Sequence, residues 1–279
     1  MSKFIDRNTV FVVQPASCST PDQFESLKRM FERRGWRVIN KPSLNKSHEY
    51  LAGSDKQRLR QLESAYNSGS EIVVCLRGGY GSQRLLPLVK KAFQGKPLVG
   101  FSDITALQVT GAVAESIHSG WSWLRNRTAW EIFTCICRKK PVCVTLPVAT
   151  KRKISGKVIA ANLSVLTDLL GTPFLRIPQD DFVLFIEDTN EPLYRIDRML
   201  FQLLNSEYIK KCVGIAIGNF DYKRALYKQE TIIGVLKGLN CSLPVVYFPF
   251  GHMGRNLTPI PQFWSVFFKG SEAYFEPNL

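Results

Sequence analysis

Short all-apolar runs alternate with amphipathic stretches through the first 120 residues. Val10–Val13 is apolar at every position, as strands buried on both faces of a parallel sheet are. A helix is predicted next. Thr20 can cap it, Pro21 sits at its first position, and Gln23 completes a capping-box pattern. Phe24, Leu27, Met30 and Phe31 then share one face, and Gly35 supplies the stop. Trp36–Ile39 reads as the next strand, and Tyr50-Leu51-Ala52-Gly53-Ser54-Asp55 leads into a second amphipathic helix with Leu59, Leu62 and Tyr66 on one side. The apolar run Glu71–Leu76 ends in the turn Arg77-Gly78-Gly79-Tyr80-Gly81. After a polar helix, Pro97–Gly100 breaks at Phe101-Ser102-Asp103 and opens a helix over Ile104–Val113. Such β-α alternation predicts an α/β domain with a doubly wound, mainly parallel sheet, whose sites lie at the carboxyl ends of the strands.

The pattern breaks up after Leu124. We read 1–124 as the first domain, 125–155 as a basic interdomain connector, and 156–279 as a second, smaller mixed α/β domain. In the last, Ala161–Leu170 has helical spacing, closed by Gly171 and Pro173. Phe182–Ile186 is a five-residue apolar strand ending at Glu187-Asp188. Leu193–Leu204 is an amphipathic helix, and Cys212–Ile217 and Val245–Phe248 read as strands. The active site is expected between the two domains.

Charge changes this picture only locally. The net charge is +14, and nine of the 37 basic residues fall in 125–157 against one acid, Glu131. No aromatic stacking platform or repeat surrounds them, which argues against nucleic acid as the partner. A solvated segment is the ordinary explanation, and an acidic substrate drawn to the strip is the other. No run approaches the roughly 18 apolar residues of a membrane helix. Met1–Thr9 carries no apolar signal segment, so neither secretion nor a membrane is expected. Seven cysteines without paired spacing fit a reducing, cytoplasmic compartment. The Cys135, Cys137, Cys143 group lacks a histidine at ligand spacing, so no metal is expected, and no cofactor motif appears.

The candidate chemistry lies at strand ends. A serine at the apex of a sharp strand-to-helix turn can expose its hydroxyl above a parallel sheet, and a neighbouring Gly-rich turn can present backbone N–H groups to the same point. Ser102 as a plain helix N-cap is the competing reading. A serine nucleophile also needs a base and a carboxylate to orient it. Of the three histidines, His48 lies in a polar loop, His118 follows the nucleophile region, and His252 follows a strand and a glycine. Ser102, Glu187 and His252 are the strand-end candidates.

Several of these blocks resemble one family in order and spacing. They are Tyr50–Asp55 with Arg58, Arg77–Gly81 with Arg84-Leu85-Leu86, and Gly100–Leu107. Further on come Gly171-Thr172-Pro173, Glu187–Pro192 with Tyr194–Leu200, and Phe250-Gly251-His252. The chain is similar there to the serine LD-carboxypeptidases, and the likeness covers most of it outside 120–155. The resemblance implies a cytoplasmic serine peptidase that releases the terminal D-alanine from murein tetrapeptides during cell-wall recycling. The microcin-C immunity hydrolases, a second branch, act on a different amide. A binding protein that has lost catalysis is the alternative of another class.

By position, the resemblance makes Ser102 the nucleophile, His252 the general base and then acid, and Glu187 the group that orients His252. It assigns the oxyanion hole to the backbone N–H groups of Gly79 and Asp103. Arg77, Gly78 and Asn162 become substrate-binding positions, and a homodimer the usual assembly. Three departures bear on substrate fit. A Gly-Pro turn is replaced by His118-Ser119-Gly120-Trp121, a Gly-Gly pair by Ala160-Ala161, and Leu-Pro-Leu-Gly by Ile260-Pro261-Gln262-Phe263. An alanine in place of a glycine needed at positive φ would strain the backbone.

Overall fold

The first apolar run forms β1 (Asp6–Val13), which pairs in parallel with both β2 (Arg37–Val38) and β3 (Ser70–Cys75). The computed structural model describes residues 6–43, 48–252, 254 and 256–278. The chain divides into two units, Met1–Arg125 and Asn126–Leu279. In the first unit, β4 (Leu98–Gly100) and β5 (Ser116–His118) complete the order β2-β1-β3-β4-β5, with every pair parallel. This is a doubly wound order in which the winding reverses between β1 and β3. The loops leaving those two strands meet at the carboxyl edge, where Ser17 N–H donates to Gly78 O at 3.3 Å.

The helices follow their punctuation. α1 (Pro21–Glu32) has the expected capping box, with Thr20 Oγ1 accepting from Gln23 N–H and the Gln23 side chain accepting from Thr20 N–H. It buries Phe24, Leu27, Met30 and Phe31. α2 (Asp55–Asn67) begins with the same device on Ser54 and Gln57. Two expectations change. The polar helix after the glycine turn is a 3₁₀ segment, Gln83–Leu88, with Pro87 inside it. The helix expected over Ile104–Val113 is a 3₁₀ turn, Ser102–Ile104, followed by the short α3 (Thr105–Val109). Gly111, at φ +74°, and the bond from Val113 N–H to Leu107 O close it early.

The second unit contains α4 (Arg127–Cys137), β6 (Val142–Asn162), α5 (Leu163–Leu169), β7 (Phe182–Asp188), α6 (Leu193–Leu204), β8 (Cys212–Tyr222), β9 (Ala225–Leu226), α7 (Gln229–Gly238), β10 (Val245–Tyr247), β11 (Ile260–Pro261) and β12 (Ser265–Glu276). Its sheet runs β10-β8-β7-β6-β12. The first three pairs are parallel, and β12 lies antiparallel on β6. The segment 125–155 is therefore not a connector. Asn126 caps α4, whose Ala129, Phe133 and Ile136 are buried, and the rest enters the long β6. Val142, Val144 and Leu146 face inward there, alternating with outward Cys143, Thr145 and Pro147. With this segment included, the second unit is the longer of the two rather than the smaller.

Lys151, Arg152 and Lys153 occupy the exposed middle of β6. The core centres on Phe185, whose ring lies 5.3–6.0 Å from those of Phe248, Phe250, Phe268 and Phe275. Phe248 and Phe250 meet it edge-on, and such packing adds to the plain burial of the rings. Cys75 and Cys212 are buried as small core groups, and burial pushes the Cys212 thiol up to about 11. Among the described residues, no helix is long and apolar enough to cross a membrane.

Candidate active site

β4 ends at Gly100, and the chain reverses through Phe101 into Ser102. Ser102 sits at φ +58°, the left-handed region that a serine enters at a cost of roughly 1–2 kcal/mol. The residue preceding the turn is Phe101, and no side chain caps it. The N-cap reading of Ser102 is thereby overturned. Strain at this point, with the side chain half-buried beside the buried Asp103, is what the strand-turn-helix of a serine nucleophile requires.

The Gly-rich turn is fastened to that strained point by Asp103. Its buried carboxylate accepts from Ser82 N–H at 2.8 Å and Gly81 N–H at 3.3 Å, and the Ser82 hydroxyl donates to the Asp103 carbonyl. Burial pushes the Asp103 carboxyl up, and the bonds from Ser82 and Gly81 oppose the rise. The approach leaves no room for side chains. A methyl group at Gly78 would stand 2.9 Å from Ser102 Cβ, and one at Gly79 would stand 2.3 Å from Ser17 Oγ. Gly79 also holds φ +107°. Among the described residues the N–H groups of Gly79 and Asp103 take no partner, which leaves both as donors. Arg77 is exposed beside them, its guanidinium donating to Cys18 O at 3.2 Å.

Arg58 holds this edge together. It is fully buried, and its guanidinium donates to the carbonyls of Pro15, Gly53 and Gly81 and to Asp55. Three loops thus hang on one planar cation. Arg58→Met leaves those carbonyls unpaired and is expected to cost about 3–5 kcal/mol. Arg58→Lys should recover little, because a point charge cannot span the fork. Urea unfolding of the two variants checks this.

In the second unit, β6 and β7 run parallel with Asn162 opposite Glu187. Glu187 is fully buried, and its Oε2 lies 2.5 Å from His252 Nδ1. Burial would lower the His252 pKa, but the Glu187 charge and hydrogen bond, with smaller help from Asp188, turn the net shift upward. The Asn162 amide donates to Glu187 Oε1 at 3.3 Å and to Asp188 Oδ1 at 3.0 Å. Its Oδ1 accepts from Val165 N–H and the Ser164 hydroxyl. Asn162 was expected to touch substrate. It is 2% exposed and its amide is occupied within the protein, so the part observed is to hold two carboxylates. The Asp188 carboxyl, which also accepts from Ser164 and Thr189 N–H, is pushed up to about 7 by burial and then by the Glu187 charge.

The structure thus assembles two groups. Ser102, Asp103, Gly78, Gly79 and Arg77 share the first unit's carboxyl edge, and Glu187, His252 and Asn162 share the second unit's. The other histidines fall away. His118 is buried with Nδ1 3.2 Å from Gln108 Oε1, and His48 is exposed in a loop. Ser17, which the sequence sets at the same carboxyl edge as Gly78–Gly81 and Ser102, packs on Gly79 and accepts from Tyr80 N–H at 3.2 Å, whereas the part of the buried Asp188 beside Glu187 was not read. Ser17 follows an apolar strand, as Ser102 does, and that was the available signal.

The departures are accommodated. Ala160 and Ala161 are ordinary buried strand residues without positive φ, so the strain expected there does not arise. Gln262 accepts from Ala160 N–H and donates to its carbonyl. Trp121 donates its indole N–H to Leu76 O at 2.9 Å, which holds the turn that lacks proline. Among the described residues, no group of three or more His, Cys, Asp or Glu side chains could hold a metal ion.

The LD-carboxypeptidase N-terminal domain profile matches residues 10–119, and the C-terminal domain profile matches residues 155–262. The murein tetrapeptide carboxypeptidase of Pseudomonas aeruginosa is 30% identical over 276 residues, 88% of this chain and 89% of that protein. The crystal structure of muramoyltetrapeptide carboxypeptidase from Oxalobacter formigenes superposes with a TM-score of 0.81 at 26% identity, covering 97% of this chain and all of that one. The microcin C7 self-immunity protein of Escherichia coli is 24% identical over 295 residues, 85% of this chain and 86% of its own. The chain belongs to the LD-carboxypeptidase family.

Proposed function

We propose that this protein removes the terminal D-alanine from murein tetrapeptides in cell-wall recycling. Ser102 is the nucleophile. Its Oγ attacks the carbonyl carbon of the L-to-D amide and passes its proton to His252 Nε2. The Gly79 and Asp103 N–H groups receive the oxygen that becomes negative. His252 then gives the proton to the departing D-alanine amine, and water, activated by the same imidazole, hydrolyses the Ser102 ester. Glu187 fixes the tautomer of His252 through Nδ1. Asn162 positions Glu187, Gly78 keeps the approach clear, and Arg77 offers a charge to a substrate carboxylate. No metal or cofactor takes part. Homodimeric assembly and a cytoplasmic location complete the reading.

The observation that carries it is Ser102 at φ +58°, a strained position on which no capping role rests. Family membership supports the choice of substrate. The test is incubation of the folded protein with a murein tetrapeptide, with D-alanine release followed by an amino-acid oxidase. Release by wild type but not by Ser102→Ala is expected. No release, or release of another residue, overturns the assignment.

A further inference from the structure

The basic middle of β6 takes no part in the catalytic groups described above, yet it walls a cavity. Two residues beyond Arg152, Ile154 packs on Gly214 of β8, where an added methyl would stand 2.7 Å from its Cγ2. The facing wall is the end of α7 and the segment after it. Cys241 N–H donates to Leu236 O at 3.0 Å, and Pro244 O accepts from Ile215 N–H at 2.8 Å, which ties that segment to β8. The cavity between these walls measures about 400 Å³ and lies where β8 and β10 begin. Glu187 and Asn162 lie where β7 and β6 end, at the other edge of the same sheet. The cavity is thus apart from the catalytic groups and of the size that small ligands occupy.

Its lining has two parts of unlike chemistry. Leu236 is buried and Ile233 and Leu243 are half-buried, whereas Lys151, Arg152 and Lys237 stand exposed. No acidic side chain lines the cavity, and among the described residues none of the three cations forms an ion pair. Lys237 sits in the last turn of α7, where the helix carbonyls offset part of its charge. Lys151 and Arg152, on a strand, are unspent. A bare inorganic anion would answer these charges and leave the apolar floor in water; a neutral apolar molecule would do the reverse. No aromatic ring lines the cavity, so a nucleic-acid base has nothing to stack on. Arg152 offers a fork that fits phosphate oxygens, and Lys151 adds a second charge for a dianion. We propose that this cavity is a second binding site, which takes a small organic anion with an apolar body and a phosphate head.

Isothermal titration calorimetry of the full chain with 1-naphthyl phosphate tests this. One equivalent should bind with a Kd of about 10–100 µM. Inorganic phosphate and 1-naphthol, which each carry half of the chemistry, should bind at least about tenfold more weakly. Lys151→Ser/Arg152→Ser should lose about tenfold or more, whereas Lys90→Ser/Lys91→Ser, which removes two exposed cations of the first unit, should stay within about twofold of wild type. Ser242 is an exposed lining residue and fixes the place. Ser242→Glu sets a carboxylate among the cations and should abolish binding, while Ser242→Gln, of nearly the same shape, should keep it. Far-ultraviolet circular dichroism checks that each variant is folded. Binding that survives Ser242→Glu lies elsewhere and rejects the cavity. Equal affinity for inorganic phosphate rejects the apolar body, and equal affinity for 1-naphthol rejects the anion. No binding of the probe overturns the site, and capture by phosphatidylglycerol vesicles in that case would make the strip a membrane contact instead.

Discussion

Ser102→Ala is expected to lower kcat by about 10⁴–10⁶, His252→Ala by a similar factor, and the pair together hardly further. The first removes the attacking oxygen, and the second leaves a hydroxyl with nothing to take its proton. Each alone already disables the unit, so the losses cannot add. The backbone supplies an independent check. Alanine keeps a Cβ at φ +58° and inherits the strain of serine there, whereas glycine does not. Ser102→Gly should be as inactive as Ser102→Ala yet more stable by roughly 1 kcal/mol, since the left-handed penalty of an L-residue is removed. Steady-state D-alanine release and urea unfolding of the four variants decide the matter. A working Ser102→Ala, or losses that multiply in the double variant, would reject the nucleophile.

The first unit was legible because each of its signals is local. A capping box, an apolar face at helical spacing and a glycine stop define α1 within a dozen residues. The apolar run into Gly78-Gly79 and the run into Ser102 likewise mark two strand ends without help from the rest of the chain. What could not be read was the backbone angle at Ser102, because G-x-S-x-G loses its last glycine to Ile104. Asp103 and the Ser82 amide do the fastening, through bonds across 21 positions.

The segment 125–155 was misread for a different reason. Its charges drew attention from the two-residue alternation of Val142, Val144 and Leu146, which is the sign of a half-buried strand. Losing the start of β6 hid its register against β7. Only that register sets Asn162 opposite Glu187 and brings Asp188 into the same cluster. The contact of Ser17 with Gly79 could not be read, because it depends on the reversal of strand order between β1 and β3.

The carboxylate pair beside His252 gives the second large effect. Glu187→Gln should lower kcat by about 10³–10⁴. A glutamine amide facing Nδ1 can donate to it, which places the imidazole proton on Nε2, where it cannot accept one from Ser102. Asp188→Asn should behave otherwise, because Asp188 touches His252 only through its charge. The base must be neutral to work, so the acid limb of kcat/KM follows the proton held by His252 and its carboxylates as a coupled group. Burial pulls that proton off, and the charges of Glu187 and, more weakly, Asp188 hold it on, with a net rise above 6.5. Removing the Asp188 charge must lower the His252 pKa and move the limb to lower pH. Asparagine also loses one acceptor for the Ser164 and Thr189 amides, but that structural cost scales the rate at every pH and leaves the limb where it was. Profiles of kcat/KM from about pH 5 to 9 separate the two effects. A limb that stays in place or moves upward in Asp188→Asn, or a Glu187→Gln enzyme near the wild-type rate, would mean that the buried pair is only scaffolding.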